Sequence, residues 1–233
     1  VARLVELLGV STETVRRDLE DLENNNMLTR VHGGAVSVKK RYRFEDMDVR
    51  GTSNMELKEQ IARKALEYVK DGDTIAIDSG STASLFAMAL KARNFDSLSV
   101  ITYSSEVFSI LSECGNYRIT LLGGEYLPKE KLFYGFLTHE AMQKLYFSKA
   151  FVVPSALSVE DGAHDFIRET YENQCMLIGH ASEVFLLADS TKFETKGDFK
   201  LSDLQPEFTI ITDDKLPESV YNMYRDHKLN VVS

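Results

Sequence analysis

The feature that most constrains this chain is a series of short apolar runs at Thr74–Ile77, Leu98–Thr102, Arg118–Leu122, Ala150–Val153, Val184–Ala188 and Phe208–Thr212. Segments of helical period stand between most of them, near 83–91, 106–111, 139–145, 166–178 and 218–224. Leu57, Ile61, Ala62, Ala65 and Leu66 give one more apolar helix face ahead of the first run. Apolar runs of this length bury both faces of a strand, and strands alternating with helices pair in parallel. The fold class read from this pattern is α/β, a mainly parallel sheet with helices on both faces. Ligands of such sheets bind outside the C-terminal ends of the strands.

That rule points to Asp78-Ser79-Gly80-Ser81-Thr82, which follows the first run and opens a helix. Gly80 permits a close backbone turn. The free amides of a helix start, with the hydroxyls of Ser79, Ser81 and Thr82, suit an anion such as phosphate. Taken alone, a small-residue strand–helix turn is more often only a turn. Gly123-Gly124, after the run ending at Leu122, is a second loop of this kind, with the same plain alternative.

The first forty residues have a different character. Val1–Leu8 is helical, with Leu4, Val5 and Leu8 on one face, and Gly9-Val10 interrupts it. Ser11 is placed to cap a second helix, in which Val15, Leu19 and Leu22 form a narrow apolar stripe. Met27–His32 alternates like a strand, and Gly33-Gly34 supplies a turn. This is the order of a winged helix-turn-helix, whose second helix enters the major groove. Arg16 and Arg17 then suit guanine or phosphate, Thr12 and Thr14 suit bases or backbone, and Arg30 and His32 suit phosphate from the wing. By pattern alone, a helical hairpin with a solvated charged face fits equally well.

The formal charge of −9 does not exclude a nucleic-acid partner, because it is unevenly placed. Residues 1–41 carry seven Lys or Arg against six Asp or Glu, and the remainder is left at −10. Local cation placement governs DNA affinity more than the global sum. Residues 39–54, with basic Lys39–Arg43 followed by acidic Glu45, Asp46 and Asp48, read as a linker between a head at 1–38 and a body at 55–233.

The runs Val10-Ser11-Thr12-Glu13-Thr14-Val15-Arg16-Arg17-Asp18-Leu19 and Leu28-Thr29-Arg30-Val31-His32-Gly33-Gly34-Ala35 closely resemble the DNA-binding signature of the DeoR family of bacterial transcriptional regulators. Lys58–Ala62, Asp71–Asp73, Asp78–Thr82, Leu122–Gly124, Gly135, Ala188–Phe193 and Ile211–Asp213 resemble that family's sensor domain, so the likeness runs over almost the whole chain. Members begin with a further helix, and the match here starts at the second, so the DNA-binding unit is expected to be incomplete at its N-terminus. The resemblance implies a sensor similar in fold to ribose-5-phosphate isomerase and an effector that is a phosphorylated sugar. Asp78, Ser79, Gly80, Ser81 and Thr82 would frame that effector, with Gly123 and Gly124 on a facing loop. Lys192 would add a cation, though a surface lysine is the plainer reading. The partners implied are double-stranded operator DNA and a homo-oligomer, dimer or tetramer, whose heads meet paired half-sites. Four positions depart from the family's pattern: Tyr103 for asparagine, Ser148 for aspartate, Pro154 in a loop rich in glycine, and Asn173 for lysine.

An isomerase- or deaminase-like enzyme is the chief rival reading, and a sensor reduced to an oligomerisation module is a third. Asp78, Glu169 and Lys192 are possible acid–base parts, but no catalytic motif joins them. The five histidines are scattered without metal-ligand spacing, and Asp161–Asp165 reads as a polar turn. No catalytic residue, metal or cofactor is expected. Cys114 and Cys175 read as reduced thiols, the opening residues do not read as a signal peptide, and no apolar run is long enough to span a membrane, so the expected setting is the cytoplasm.

Overall fold

The computed structural model of the chain describes residues 1–24, 28–31, 34–37 and 47–233. The chain divides into two compact units, Val1–Arg43 and Phe44–Ser233.

In the first unit, α1 (Ala2–Leu8) ends at Gly9, which takes a left-handed φ of 63° that an L side chain resists. Helix α2 (Thr12–Asn24) follows, then an antiparallel pair, β1 (Leu28–Val31) and β2 (Gly34–Ser37). Val15 and Leu19, one helical turn apart, are buried and give α2 its inner face. Of the apolar face expected on α1, Leu8 stays 63% exposed and Leu4 36%, while Val5 is half-buried.

The second unit opens with α3 (Met47–Thr52) and α4 (Met55–Leu66). The expected linker over 39–54 therefore differs from the structure in its second half. Met47 is buried, and the ammonium of buried Lys58 donates to the carbonyls of Arg50 and Ser53, anchoring the end of α3 to α4. A polar, aperiodic segment this short shows no helical stripe, so the sequence pattern could not reveal α3.

The chain continues through β3 (Thr74–Ile77), α5 (Ser81–Arg93), β4 (Leu98–Thr102), α6 (Ser105–Leu111) and β5 (Tyr117–Leu121). A hairpin of β6 (Glu125–Leu127) and β7 (Leu132–Tyr134) leads to α7 (Phe136–Met142) and β8 (Phe147–Val152). Next come β9 (Ala156–Ser158), β10 (Gly162–Asp165), α8 (Arg168–Gly179) and β11 (Ala181–Leu187). Strands β12 (Phe199–Ser202) and β13 (Thr209–Ile211), helix α9 (Glu218–Asp226) and β14 (Asn230–Val232) complete it.

Seven of these strands form one parallel sheet in the order β14-β13-β11-β8-β3-β4-β5. All six predicted apolar runs are in it. The added strand, β14, is three residues long at one edge, too brief for a periodic signal. Successive residues face opposite cores. Ile75 and Ile77 pack with Phe86, Leu90, Phe151 and Phe185 under α4 and α5, while Ala76 packs with Val152, Leu186 and Leu177 under α8. Phe151 and Phe185 stack at 4.8 Å across the adjacent strands β8 and β11.

Three further strands form a separate antiparallel sheet in the order β12-β10-β9. Gly162–Asp165, expected as a polar turn, is the central strand and wholly buried. Its polar side chains are satisfied locally rather than by solvent: Asp165 accepts from Ser155 Oγ at 3.0 Å, and His164 Nδ1 lies 3.2 Å from the Gly162 carbonyl oxygen. Among the described residues, no helix is long and apolar enough to cross a membrane.

Candidate effector site and DNA-reading helix

The order of the parallel sheet reverses between β3 and β8, the kind of place at which such sheets hold ligands. The Asp78–Thr82 loop leaves β3 at this place. Gly80 caps α5 with φ 105° and ψ 168°, a conformation that requires glycine. No side chain caps α5, so the amides of its first turn, from Ser81 to Ala83, have no intrahelical acceptor, the condition under which a helix start can take an anion.

Asp78 is the keystone of the loop and is fully buried. Its Oδ1 accepts from the Ser79 amide at 2.6 Å and from the Tyr103 hydroxyl. Its Oδ2 accepts from the Val153 amide at 2.8 Å and from Gln174 Nε2 at 2.7 Å. Burial pushes the Asp78 carboxyl up, and these donors pull it back toward the ionised form. Burial, and then the facing Asp78 charge, push the Tyr103 phenol well up, which keeps it protonated as a donor. Asp78 thus positions the loop and does not itself present a free oxygen. Ser79, Ser81 and Thr82 are buried in the same loop.

A second carboxyl stands close by. Asp165 accepts from the amides of Phe166 and Ile167 at 2.7 and 2.9 Å and from Ser155 Oγ. Burial, with the Asp78 charge as a smaller cause, pushes it up to about 6. Gln174 lies between β8 and the loop: its Nε2 also donates to the Val153 carbonyl at 3.0 Å, while its buried Oε1 has no partner among the described residues. Arg50 reaches the same place, since its Nη1 lies 3.8 Å from where a Cβ on Gly80 would stand. None of Arg50, Asp165 and Gln174 carried a sequence signal as a site residue. Arg50 lay in the expected linker, Asp165 in the expected turn, and Gln174 in an ordinary helix.

The other expected positions are partly gathered. Gly123-Gly124 follows β5, so it lies on the same C-terminal edge of the sheet, two strands away. There Gly123 accepts from Thr138 Oγ1 at 3.0 Å. A Cβ on Gly124 would fall 2.4 Å from the Tyr134 carbonyl oxygen and 2.3 Å from Thr138 Oγ1, so this glycine serves close packing. Gly124→Ala is expected to cost about 2 kcal/mol from overpacking, measured by urea unfolding. A cost near zero would mean that the β7 carbonyl yields freely. Lys192 ends a 3-10 turn after β11 on that edge, half-buried, its amine pushed down to about 8 by burial.

The four departures are accommodated. Tyr103 donates to Asp78, and Ser148 Oγ donates to the Thr74 carbonyl at 2.7 Å near the opposite end of the sheet. Pro154 is buried next to Val153. Asn173 Nδ2 donates to the Phe133 carbonyl at 2.8 Å, and its Oδ1 lies 3.1 Å from His139 Nε2. On α8 the residue that reaches Asp78 is therefore Gln174, the neighbour of Asn173.

In the first unit, Ser11 Oγ accepts from the Thr14 amide at 3.1 Å and lies 2.8 Å from Thr14 Oγ1, which caps α2 as expected. Thr12, Thr14, Arg16 and Arg17 are exposed, on faces other than that of Val15 and Leu19. Arg30 lies on β1, paired in register with Ala35. His32 lies outside the described residues.

Two family models match this chain: "DeoR-like helix-turn-helix domain" over residues 1–41 and "DeoR C terminal sensor domain" over 53–214. It is 36% identical to a lactose phosphotransferase system repressor of Lactococcus lactis, over 93% of this chain and 85% of the relative. It is 38% identical to a repressor of the same name from Streptococcus mutans, over 91% and 84%. It is 30% identical to the HTH-type transcriptional regulator GolR of Listeria innocua, over 99% and 90%. Among solved structures it is similar to a ribose 5-phosphate isomerase from Methanocaldococcus jannaschii, with 19% identity, a TM-score of 0.46, and coverage of 62% of this chain and 56% of that one. Family models over both units, and relatives above 35% identity along nine-tenths of its length, show that the chain belongs to the DeoR family of transcriptional regulators.

Proposed function

We propose that the chain represses a carbohydrate-metabolism operon and is controlled by a phosphorylated sugar bound in its second unit. The observation that carries the effector half is the uncapped α5 N-terminus at the sheet's reversal point, with the Arg50 guanidinium against Gly80. A phosphate there meets free amides and a cation, and the unpartnered Gln174 Oε1 offers an acceptor to a sugar hydroxyl. The repressor names of the relatives support a carbohydrate operon. Helix α2 supplies the operator contacts through Ser11, Thr12, Thr14, Arg16 and Arg17, with Arg30 and His32 on the wing. The protein acts in the cytoplasm as a dimer or tetramer, so that two heads meet two half-sites. The sugar phosphate favours one arrangement of the oligomer and shifts the population accordingly.

Two measurements test this. A thermal-shift screen of sugar phosphates, including the 6-phosphates of galactose and glucose, is run against free sugars and inorganic phosphate. A ligand at about 100 times its Kd adds roughly 2.7 kcal/mol. Silence across the panel would leave the second unit as an oligomerisation module. In the second measurement, operator affinity is followed by fluorescence anisotropy. Arg16→Ala and Arg17→Ala are each expected to weaken binding by about 1–3 kcal/mol and, where the contact is to phosphate, to lower the salt slope by about 1. Sugar-phosphate affinity should not change. Unaltered operator affinity in both variants would remove α2 as the reading helix.

A further inference from the structure

Resting on the effector reading above, the geometry points to a built-in competitor for the ligand: the Glu130 carboxylate holds Arg50 until an anion takes it. Arg50 Nη2 pairs with Glu130 Oε2. The two side chains are 15% and 6% exposed, so the pair is largely removed from water. Glu130 is not part of the loop or of α5. It lies in the turn of the β6–β7 hairpin, between Leu127 and Leu132. The guanidinium it holds also lies against Gly80, at the head of the uncapped helix. One cation therefore faces an internal carboxylate and an anion cradle together.

A carboxylate and a phosphate oxygen make the same charge-assisted bond to a guanidinium, so the two compete for one partner. When a phosphate takes Arg50, Glu130 is left with less compensation in a buried place, and the hairpin turn is driven to move toward water. Arg50 belongs to α3, the first described helix after the β1–β2 hairpin, and its carbonyl is tied to α4 by Lys58. Ligand occupancy is thereby exchanged for a contact between the β6–β7 turn and the helix by which the chain enters the second unit. The carboxylate also sets a threshold: anions too weak to displace it leave the contact closed.

The test compares the full-length chain with Glu130→Gln and Arg50→Gln, each titrated calorimetrically with inorganic phosphate and with galactose 6-phosphate and glucose 6-phosphate. Removing the competitor should tighten phosphate-compound binding in Glu130→Gln by about tenfold, because the competent state no longer has to be freed first. Arg50→Gln should bind at least about tenfold more weakly than the parent. Each variant alone should melt lower, since each removes one member of a largely buried ion pair. Phosphate should restore more of the loss in Glu130→Gln than in Arg50→Gln. A merely structural ion pair lowers both melting temperatures and tightens nothing, so a gain of affinity is a readout that misfolding does not produce. If the parent binds a sugar phosphate and Glu130→Gln binds it no more tightly, the competitor is overturned and the effector site stands. If neither the parent nor Glu130→Gln binds any of these compounds, the effector site falls and the competitor with it.

Discussion

Asp78→Asn is expected to destabilise the chain by about 3 kcal/mol or more, although it changes one atom of a buried side chain. Each carboxylate oxygen of Asp78 accepts a backbone amide that cannot rotate away, Ser79 N–H on Oδ1 and Val153 N–H on Oδ2. An asparagine offers one acceptor and one NH2. Whichever way it is turned, one of these N–H groups meets a donor and is left buried without an acceptor. Turning the NH2 toward Oδ2 also sets it against Gln174 Nε2, and flipping Gln174 to relieve that places its oxygen against the Val153 carbonyl. Urea unfolding of the full chain measures the cost. A loss below about 1 kcal/mol would show that the loop is held by something other than this carboxylate. Asp78 ties the loop to Val153, just past the end of β8, so the variant should also lose sugar-phosphate binding.

The same substitution at Asp165 is expected to act in the opposite direction, stabilising the chain above pH 7 by up to about 3 kcal/mol. Both fixed donors to Asp165, the Phe166 and Ile167 amides, fall on Oδ1, and among the described residues Oδ2 meets the Ser155 hydroxyl alone. An asparagine keeps its oxygen at Oδ1, and the hydroxyl rotates to accept from its NH2. What the variant removes is a charge. The folded carboxyl is held up at about 6, above the unfolded value near 4, so the native state binds the proton more tightly than the unfolded state does. Its ionisation therefore costs stability. That cost is absent below about pH 4, grows as pH rises through about 6, and is complete above it. Asp165→Asn should match the parent at pH 4 and exceed it increasingly up to pH 7 in urea titrations across that range. A constant difference at all pH values would mean that Asp165 titrates normally.

The contrast between the two aspartates shows where legibility ended. The strands of the main sheet were readable because each is an apolar run whose burial on both faces forces that composition, as Ile75, Ala76 and Ile77 show by facing alternate cores. The Asp78–Thr82 loop was readable for a related reason. A glycine and small hydroxyl residues directly after such a run are what a tight strand-to-helix turn requires. Capping of α2 by Ser11 was likewise a local matter, decided within four residues.

Arg50, Glu130, Asp165 and Gln174 were not readable, because nothing in their own neighbourhoods distinguishes them. Arg50 stands in a polar stretch whose helix is too short for a period. Glu130 and Arg50 are eighty positions apart, and Gln174 and Asp78 are ninety-six apart. Asp165 sits in a run whose polarity argues for a turn, and only the assembled sheet makes that run a strand paired to β12 and β9.

By itself, then, the sequence determined the α/β class, the capped helix that carries Arg16 and Arg17, and the loop that opens at Asp78. Those features are set by burial periodicity and by bonds between near neighbours. Only the tertiary structure decided that Asp78 is a positioning group rather than a ligand, that Asn173 faces away while Gln174 faces the loop, and that a glutamate from a distant hairpin occupies the cation at Gly80. Such choices depend on which side chains the packed sheet brings together and on how little water remains among them, and neither is a property of any local run of residues.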